Sequence, residues 1–275
     1  MFKLAISSKI MQGFCLQEII NYTAQTGFNG LELWMHQVQA SGLTAGKLKK
    51  LAAAAGLTCQ VHMDTRDSNI ASSNRVIREA SIKQVLSAIE YAADLEARVI
   101  TVHPGRFTEE KEALSSQEAW NRQIEAFAVL ACKAESKDMI IGIENMEKRP
   151  KEFVLTEADI KKIVQAVGSN RLMVTLDVAH LHHIGDVTQI IKAWQLPIVN
   201  VHISQANSKM HLPIFAHEAG GIDYAKVFPQ LAAKYQGLLV VEGYIPGKEK
   251  ENVKKSYEWL KACTASPKYC LTPGQ

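Results

Sequence analysis

The sequence predicts an α/β fold, a (β/α)8 TIM barrel in which eight parallel strands alternate with helices. Short apolar runs rich in β-branched residues alternate eight times with longer amphipathic segments, as expected for right-handed βαβ units. The chain has 275 residues, and α/β barrels of about 250 residues form one domain, so we expect a single barrel over 1–275. An open doubly wound sheet is the alternative. It is disfavoured because no Gly-x-Gly-x-x-Gly follows the first strand.

The strands are predicted from apolar runs that are too short to form helices. Their content of Val, Ile and Leu is typical of parallel strands that are buried on both faces. The sixth run, Leu172-Met-Val-Thr-Leu-Asp177, is predicted to continue in extended conformation to His180. The predicted strands cover 3–7, 30–34, 57–62, 98–103, 139–144, 172–177, 197–202 and 237–242.

The helices are predicted from amphipathic periodicity and from residues typical of helix ends. Thr44 is a typical N-cap, Thr156 with Asp159 resembles a capping box, and Gly27 and Gly168 are typical of the residue after a helix. A long irregular loop is predicted over 204–221. The predicted helices cover 16–26, 44–55, 73–96, 116–135, 156–167, 187–194, 223–235 and 253–263. The apolar stripe of the third helix comprises Val76, Ile77, Ile82, Val85, Leu86 and Ile89.

The composition is that of an ordinary globular protein, with 47% hydrophobic and 21% charged residues. A net charge of +3 is too small to indicate nucleic-acid binding. Five scattered cysteines without a Cys-x-x-Cys motif predict reduced thiols, not disulfides or a thiolate zinc site. The chain shows neither a signal-peptide pattern nor an apolar run of about 18 residues. We therefore expect a cytoplasmic protein with no membrane partner.

Ionisable residues lie at the carboxyl ends of seven of the eight predicted strands. Buried parallel strands are otherwise apolar, and a barrel carries its chemistry at this end. Alone, each residue is interpreted as a helix cap, a salt-bridge partner or a half-exposed polar group. Together, the crowded carboxylates would repel one another unless a cation lay between them, and carboxylates with imidazoles suit Mn, Mg, Co or Zn. The residues are Glu32, His62, His103, Glu144, Asp177, His202 and Glu242, with His180 shortly after the sixth strand.

Glu144 is the residue on which this metal hypothesis depends. It ends the buried run Met139-Ile-Ile-Gly-Ile-Glu144, where a carboxylate is unfavourable unless something pairs with it. Trp34 lies at the end of the second predicted strand. Two interpretations stay open for it: the side chain lies in the core, or it forms a pocket wall that packs against a sugar ring. Three other histidines, His36, His182 and His183, are interpreted as loop or helix-face residues.

In their order and spacing, the motifs resemble those of the xylose-isomerase-like barrel superfamily from Leu4 to Glu242. That superfamily includes sugar isomerases and epimerases, inosose dehydratases, hydroxypyruvate isomerases and type IV AP endonucleases. The resemblance lies in the whole set of motifs, since no single one is specific. The matching segments are Gly30-Leu-Glu-Leu, Val102-His-Pro-Gly, Ile143-Glu-Asn, Leu176-Asp-Val-Ala-His180, Val201-His-Ile, His211-Leu-Pro-Ile, Gly221-Ile-Asp-Tyr and Val241-Glu-Gly.

The resemblance to the epimerases implies a site that binds one divalent metal. It implies further that Glu144 and Glu242 form an acid–base pair that moves a proton through an enediolate of the substrate. His180 would contact the substrate and His211 would close over it. The expected partner is a small sugar or related polyol, and the protein is a candidate homo-oligomer. The implied metal ligands are Glu144, Asp177, His202 and Glu242.

The resemblance to the type IV AP endonucleases implies zinc-dependent cleavage of DNA. His62, His103 and His180 match further zinc ligands of those enzymes, so more than one zinc would be bound. Their Asp-x-His motif after the seventh strand is missing, because the chain reads Lys209-Met-His211, or Phe215-Ala-His217 at the later histidine. An isomerase or epimerase is therefore favoured. A nuclease, a lyase or dehydratase on the same metal site, and a non-catalytic barrel are the alternatives.

Overall fold

The barrel predicted from the sequence is present. The structure is a computed structural model that describes residues 2–109, 116–216 and 220–265. Its eight parallel strands pair in sequence order, and β8 pairs with β1 to close the sheet. The strands are Lys3–Ser7 (β1), Gly30–Trp34 (β2), Thr58–His62 (β3), Val99–Val102 (β4), Ile140–Glu144 (β5), Leu172–Asp177 (β6), Ile198–Ile203 (β7) and Leu238–Val241 (β8).

Helices follow the strands and pack around the barrel. The predicted caps are confirmed for α3, where the Thr44 side chain accepts from Lys47, and for α6, where Thr156 and Asp159 form a capping box. A short 3-10 helix covers Ser8–Met11. The α-helices are Leu16–Thr26 (α1), Met35–Ser41 (α2), Ala45–Ala54 (α3), Arg75–Asp94 (α4), Gln117–Ser136 (α5), Glu157–Val167 (α6), Val178–His182 (α7), Val187–Ala193 (α8), Tyr224–Ala232 (α9) and Glu249–Ala265 (α10).

The prediction that β6 continues to His180 is wrong. The chain turns into α7 directly after Asp177, whose Oδ1 accepts a hydrogen bond of 2.9 Å from the backbone N–H of His180. An aspartate at the N-cap satisfies a free amide of the first helical turn, so the local sequence favours a helix start over an extended strand. The turn keeps the imidazole of His180 over the mouth of the barrel.

The apolar stripe predicted for α4 is correct only in its second half. Val85 and Ile89 are fully buried, whereas Val76 is 73% exposed and Ile77 is 43% exposed. The buried positions of α4 begin at Ser81, so the first turn of the helix lies outside the packed interface. Periodicity identifies the face of a helix but not how far along the helix its neighbours extend.

Polar side chains fill much of the barrel interior below the strand ends. The Glu32 carboxylate accepts hydrogen bonds from Asn200 Nδ2 at 2.7 Å and from Thr101 Oγ1 at 3.2 Å. Thr101 Oγ1 also lies 3.0 Å from Thr175 Oγ1. These four residues belong to β2, β7, β4 and β6, which are not all neighbours, so the bonds cross the interior. They form a buried network that supports the strand ends from below.

The described residues also bear on the cysteines and on membranes. Cys15, Cys59 and Cys132 are free thiols, as predicted, and Cys270 lies outside the described residues. Across the described ranges, no helix is both long enough and apolar enough to cross a membrane.

Gly142, two residues before Glu144, offers a test of this interior packing. A Cβ at this position would lie 2.1 Å from Thr175 Oγ1, which would have to rotate away from Thr101. We expect Gly142→Ala to lower the free energy of unfolding by roughly 1–3 kcal/mol in urea titrations. Gly46→Ala is the control, because Gly46 lies in α3 with open space around it and should gain stability. Equal stability of Gly142→Ala and the wild type would contradict the packing described.

Candidate metal centre

Glu144 lies at the centre of a cluster of imidazoles, although it is only 1% exposed. Its Oε2 lies 2.9 Å from Nε2 of His103 and 3.3 Å from Nε2 of His62. Its Oε1 lies 3.2 Å from Nδ1 of His202. β5 therefore delivers one carboxylate to histidines from β3, β7 and the segment after β4, which is the pairing that a buried carboxylate at this position requires.

The four predicted ligands converge on one point. Suitable ligand atoms of the four side chains all lie within 4.8 Å of one another, and all four residues are buried. Asp177 Oδ2 and Glu242 Oε1 are buried without a hydrogen-bond donor. A buried carboxylate oxygen that lacks a donor is unfavourable unless a cation satisfies it, so the donor set fits a divalent metal. The four residues are Glu144, Asp177, His202 and Glu242.

The charges around the cluster keep two of its glutamates ionised. Burial raises the pKa of Glu144, but the neighbouring His103 and His202 outweigh burial and hold that pKa well below its usual range. Burial likewise opposes ionisation of Glu242, yet His202 and Lys9 lower its pKa to about 2. For Asp177, burial dominates and raises the pKa. Glu144 and Glu242 are therefore anionic, as metal ligands must be.

Glu32 orients His202 from below. Its Oε1 lies 3.0 Å from Nε2 of His202, on the side of the ring away from the cluster. Nδ1 then faces Glu144 Oε1 at 3.2 Å and Glu242 Oε2 at 3.7 Å. Glu32 Oε1 has no hydrogen-bond donor among the described residues, so this contact is an ion pair, and Asn200 Nδ2 lies 3.1 Å from the same ring nitrogen. A carboxylate beside one ring nitrogen favours the proton on that nitrogen and leaves the lone pair of the other nitrogen for a metal. The Glu32 carboxylate is itself fixed by Asn200 and Thr101.

Trp34 closes the site on the side of β3. Its ring stacks on that of His62 with centroids 3.9 Å apart and planes 6° apart. Trp34 is 3% exposed, and it also lines a neighbouring cavity. Both interpretations that the sequence left open are therefore partly right, because the indole is a buried packing residue and a pocket wall.

His180 and His211 meet on the other side of the cluster. The Nδ1 of His180 donates to the backbone carbonyl of Asn145 at 2.7 Å, which leaves its Nε2 lone pair 3.3 Å from Nε2 of His211. His211 reaches this position because Gln205 and Leu212 pair as an antiparallel bridge that folds the loop back over the barrel. Of the two histidines considered for this role, His211 faces the site, and His217 lies outside the described residues.

Three further groups of described side chains could also hold a cation. His62, His103 and Glu144 form one such group, which shares Glu144 with the four-ligand cluster. The second comprises Glu147, His180 and His211, and the third comprises Glu32, His62 and Glu242. Every candidate residue within the described ranges therefore lies in or beside one contiguous site at the carboxyl ends of the strands.

Comparisons with known proteins agree with this architecture. The family model described as a xylose isomerase-like TIM barrel matches residues 20–263. The chain belongs to the xylose isomerase-like TIM barrel family. This membership confirms the resemblance seen in the motifs, and it covers sugar epimerases and endonucleases alike.

Individual relatives and solved structures are similar to the chain to different degrees. An uncharacterised protein of Methanocaldococcus jannaschii is 28% identical over 207 residues, which cover 73% of this chain and 68% of that protein. A probable endonuclease 4 of Mycoplasmopsis synoviae is 25% identical over 149 residues, 51% of each chain. The solved structure of a D-tagatose 3-epimerase-like protein superposes with a TM-score of 0.83 and 24% identity, over 98% of this chain and all of that one. An L-ribulose 3-epimerase gives a TM-score of 0.78 and 19% identity, over 98% and 96%.

Sequence reasoning missed the supporting residues of the site. Glu32 was recognised as a polar strand end, but no function was inferred for it. Asn200 precedes His202 by two residues in the otherwise apolar run Ile198-Val-Asn-Val-His202, and this alternation was the available signal for an inward-facing polar pair. Lys9 carried no such signal, because a single lysine after a strand is usually a surface residue.

The orientation of His202 by Glu32 predicts a loss of metal affinity when that carboxylate is removed. We expect Glu32→Gln to weaken Mn²⁺ binding by roughly 10- to 100-fold in calorimetric titrations, because an amide cannot hold the Nε2 proton as a carboxylate does. Glu79→Gln is the matched control, since the Glu79 side chain is 59% exposed and pairs with Arg75 on α4. Equal affinities of Glu32→Gln and the wild type would show that Glu32 does not orient a ligand.

Proposed function

We propose that the protein is a divalent-metal-dependent isomerase or epimerase of a small sugar or related polyol. The observation that carries the proposal is the pair of buried, ionised carboxylates, Glu144 and Glu242, within one four-ligand cluster. The solved structures described as a D-tagatose 3-epimerase-like protein and an L-ribulose 3-epimerase share the fold over 98% of this chain, which supports the same reaction class.

The metal would be held by Glu144, Asp177, His202 and Glu242. When bound, a divalent cation would polarise the substrate carbonyl, which lowers the pKa of the C–H group on the adjacent carbon. The unpartnered oxygens of Asp177 and Glu242 support this assignment, since each needs a positive partner. Oxygen-rich donors with one imidazole suit Mn, Co, Mg or Zn.

Glu144 and Glu242 would carry the proton. One carboxylate takes the proton from the carbon next to the carbonyl, which gives an enediolate. The other carboxylate, once it has taken up a proton from solvent, returns a proton to that carbon or its neighbour. Glu144 ends β5 and Glu242 follows β8, so the two groups reach the substrate from different strands. Return of the proton to the opposite face inverts the centre. Return to the neighbouring carbon, with transfer of the hydroxyl proton between the two enediolate oxygens, isomerises the sugar.

His180 and His211 would position the substrate above this pair. The Nε2 atoms of both rings converge at 3.3 Å beside the cluster, and His211 is brought there by a loop that covers the barrel mouth. Imidazoles in this position can hydrogen-bond to substrate hydroxyls. The enclosed site, with ligands that are at most 4% exposed, limits the water that could quench an enediolate.

Zinc-dependent cleavage of DNA at abasic sites is the second candidate function. The His62, His103 and Glu144 group supports it, because that group could hold a second metal beside the first. The similarity to a probable endonuclease 4 supports it as well. The chain has no aspartate in Lys209-Met-His211, and its small net charge offers little attraction for DNA, so the first proposal is favoured.

The acid–base pair predicts how two conservative variants behave. We expect Glu144→Gln and Glu242→Gln each to lower turnover by about 10²- to 10⁴-fold, because each loses a proton-transfer group and a metal ligand. The measurement is deuterium incorporation from D2O into a panel of ketopentoses and ketohexoses, followed by proton NMR. Glu79→Gln should match the wild type. Full activity of Glu144→Gln would contradict the proposed site.

Metal content distinguishes the two candidate functions. The isomerase or epimerase proposal predicts one Mn or Co per active chain and interconversion of ketoses. Two or three zinc ions per chain, together with cleavage of an abasic oligonucleotide, would replace it with the nuclease. Elemental analysis of the purified protein and both activity assays on one preparation provide the comparison.

A further inference from the structure

A cavity of about 640 Å³ adjoins the metal cluster on the side of β1 and β2. It shares a wall with the cluster, because Trp34 lines the cavity and stacks on His62, whose Nε2 lies 3.3 Å from Glu144. The described side chains around it include two cations and no carboxylate. They are Lys9, Gln12, Phe14, Cys15, Leu16, Trp34, His36, Gln37, Ala40, Ser41, Thr65 and Arg66, with Gly13.

Lys9 is the cation closest to the cluster in this wall. It lies in the 3-10 helix after β1, is half-buried, and places Nζ 4.3 Å from the centroid of the Trp34 ring. Among the described residues, no carboxylate forms an ion pair with it. A half-buried ammonium that has no ion pair among the described residues has unused capacity for an anion.

Lys9 and Trp34 connect the cavity to the metal cluster. The ammonium lies over the indole ring, and that ring stacks on His62, whose Nε2 lies 3.3 Å from Glu144. A substrate whose reacting carbons lie at the cluster can therefore extend along Trp34 to the ammonium.

Arg66 and His36 add hydrogen-bond donors to the cavity. The Asp64 carboxylate engages Arg66 Nε at 3.0 Å and Nη2 at 2.8 Å, which offsets the charge of the guanidinium, fixes it, and leaves its Nη1 donors outside that fork. His36 Nδ1 is buried without a hydrogen-bond partner in the described structure. An anion bound at Lys9 can accept hydrogen bonds from these groups, and hydrogen bonds to an ionised acceptor are the stronger kind.

We propose that this cavity binds an anionic group of the substrate, a phosphate ester or a carboxylate, with Lys9 as its main contact and Arg66 as a second. This inference rests on the proposed function, because it takes the substrate carbonyl to lie at the Glu144–Glu242 pair. The substrate class is then a phosphorylated sugar or a sugar acid. Trp34 contributes an apolar wall against which the carbon chain packs.

Binding of inorganic phosphate tests the cavity independently of turnover. We expect Lys9→Met to weaken phosphate binding by about 10- to 100-fold in calorimetry, the loss expected for a charge-assisted hydrogen bond. Lys192→Met is the control. Lys192 is exposed on α8, far along the chain from the residues that line the cavity, and its substitution removes the same charge. Equal phosphate affinity of Lys9→Met and Lys192→Met would overturn the assignment.

Substrate preference tests it in the working enzyme and separates the two anions. The ratio of kcat/KM for a ketopentose 5-phosphate to that for the free ketopentose should fall about 10-fold or more in Lys9→Met and stay unchanged in Lys192→Met. A similar fall with a keto sugar acid in place of the phosphate ester would identify a carboxylate site. A wild-type preference for the neutral sugar would overturn the inference and leave the proposed function intact. Lys9-dependent phosphate binding without any ketose turnover would retain the anion site and refute the epimerase.

Discussion

Burial of four carboxylates at one end of an apolar barrel is the constraint on which the rest of the structure depends. Glu32, Glu144, Asp177 and Glu242 are each at most 4% exposed. Such charges are strongly unfavourable in a low-dielectric interior unless opposite charges and hydrogen-bond donors surround them. The histidines at neighbouring strand ends supply part of that compensation, but among the described residues three carboxylate oxygens, those of Glu32, Asp177 and Glu242, still lack a hydrogen-bond donor. A divalent cation would compensate the charges of Asp177 and Glu242.

The fold adapts to this constraint above and below the cluster. Below it, the Glu32 network crosses the barrel interior, where an ordinary barrel would pack apolar side chains. Gly142 leaves room for Thr175 in that layer. Above it, Asp177 caps α7, and the Gln205–Leu212 bridge turns the following loop over the site. Each feature is local. Together they hold the candidate metal-coordinating side chains in place before a metal or substrate binds.

The sequence was sufficient to predict the barrel and the polar strand ends that meet at its mouth, because parallel strands that alternate with helices end on one rim. The choice of four metal ligands came from the family resemblance and stays a prediction. The sequence was insufficient for contacts across the barrel. The pairing of Glu32 with His202 depends on how β2 and β7 are staggered around a closed sheet, which no local pattern records. The α7 turn was missed because Val178-Ala-His180 has a strand-like composition, and only the cap at Asp177 decides otherwise. Lys9 acquires a possible role only once the cavity beside Trp34 is visible.

The central claim is that one divalent cation occupies the space between the buried carboxylates and His202. The most direct measurement is an anomalous difference map from a crystal grown with Mn²⁺ and collected near the manganese absorption edge. The account predicts a strong peak bounded by Glu144, Asp177, His202 and Glu242. A folded, manganese-exposed crystal with no peak among these four residues would contradict it.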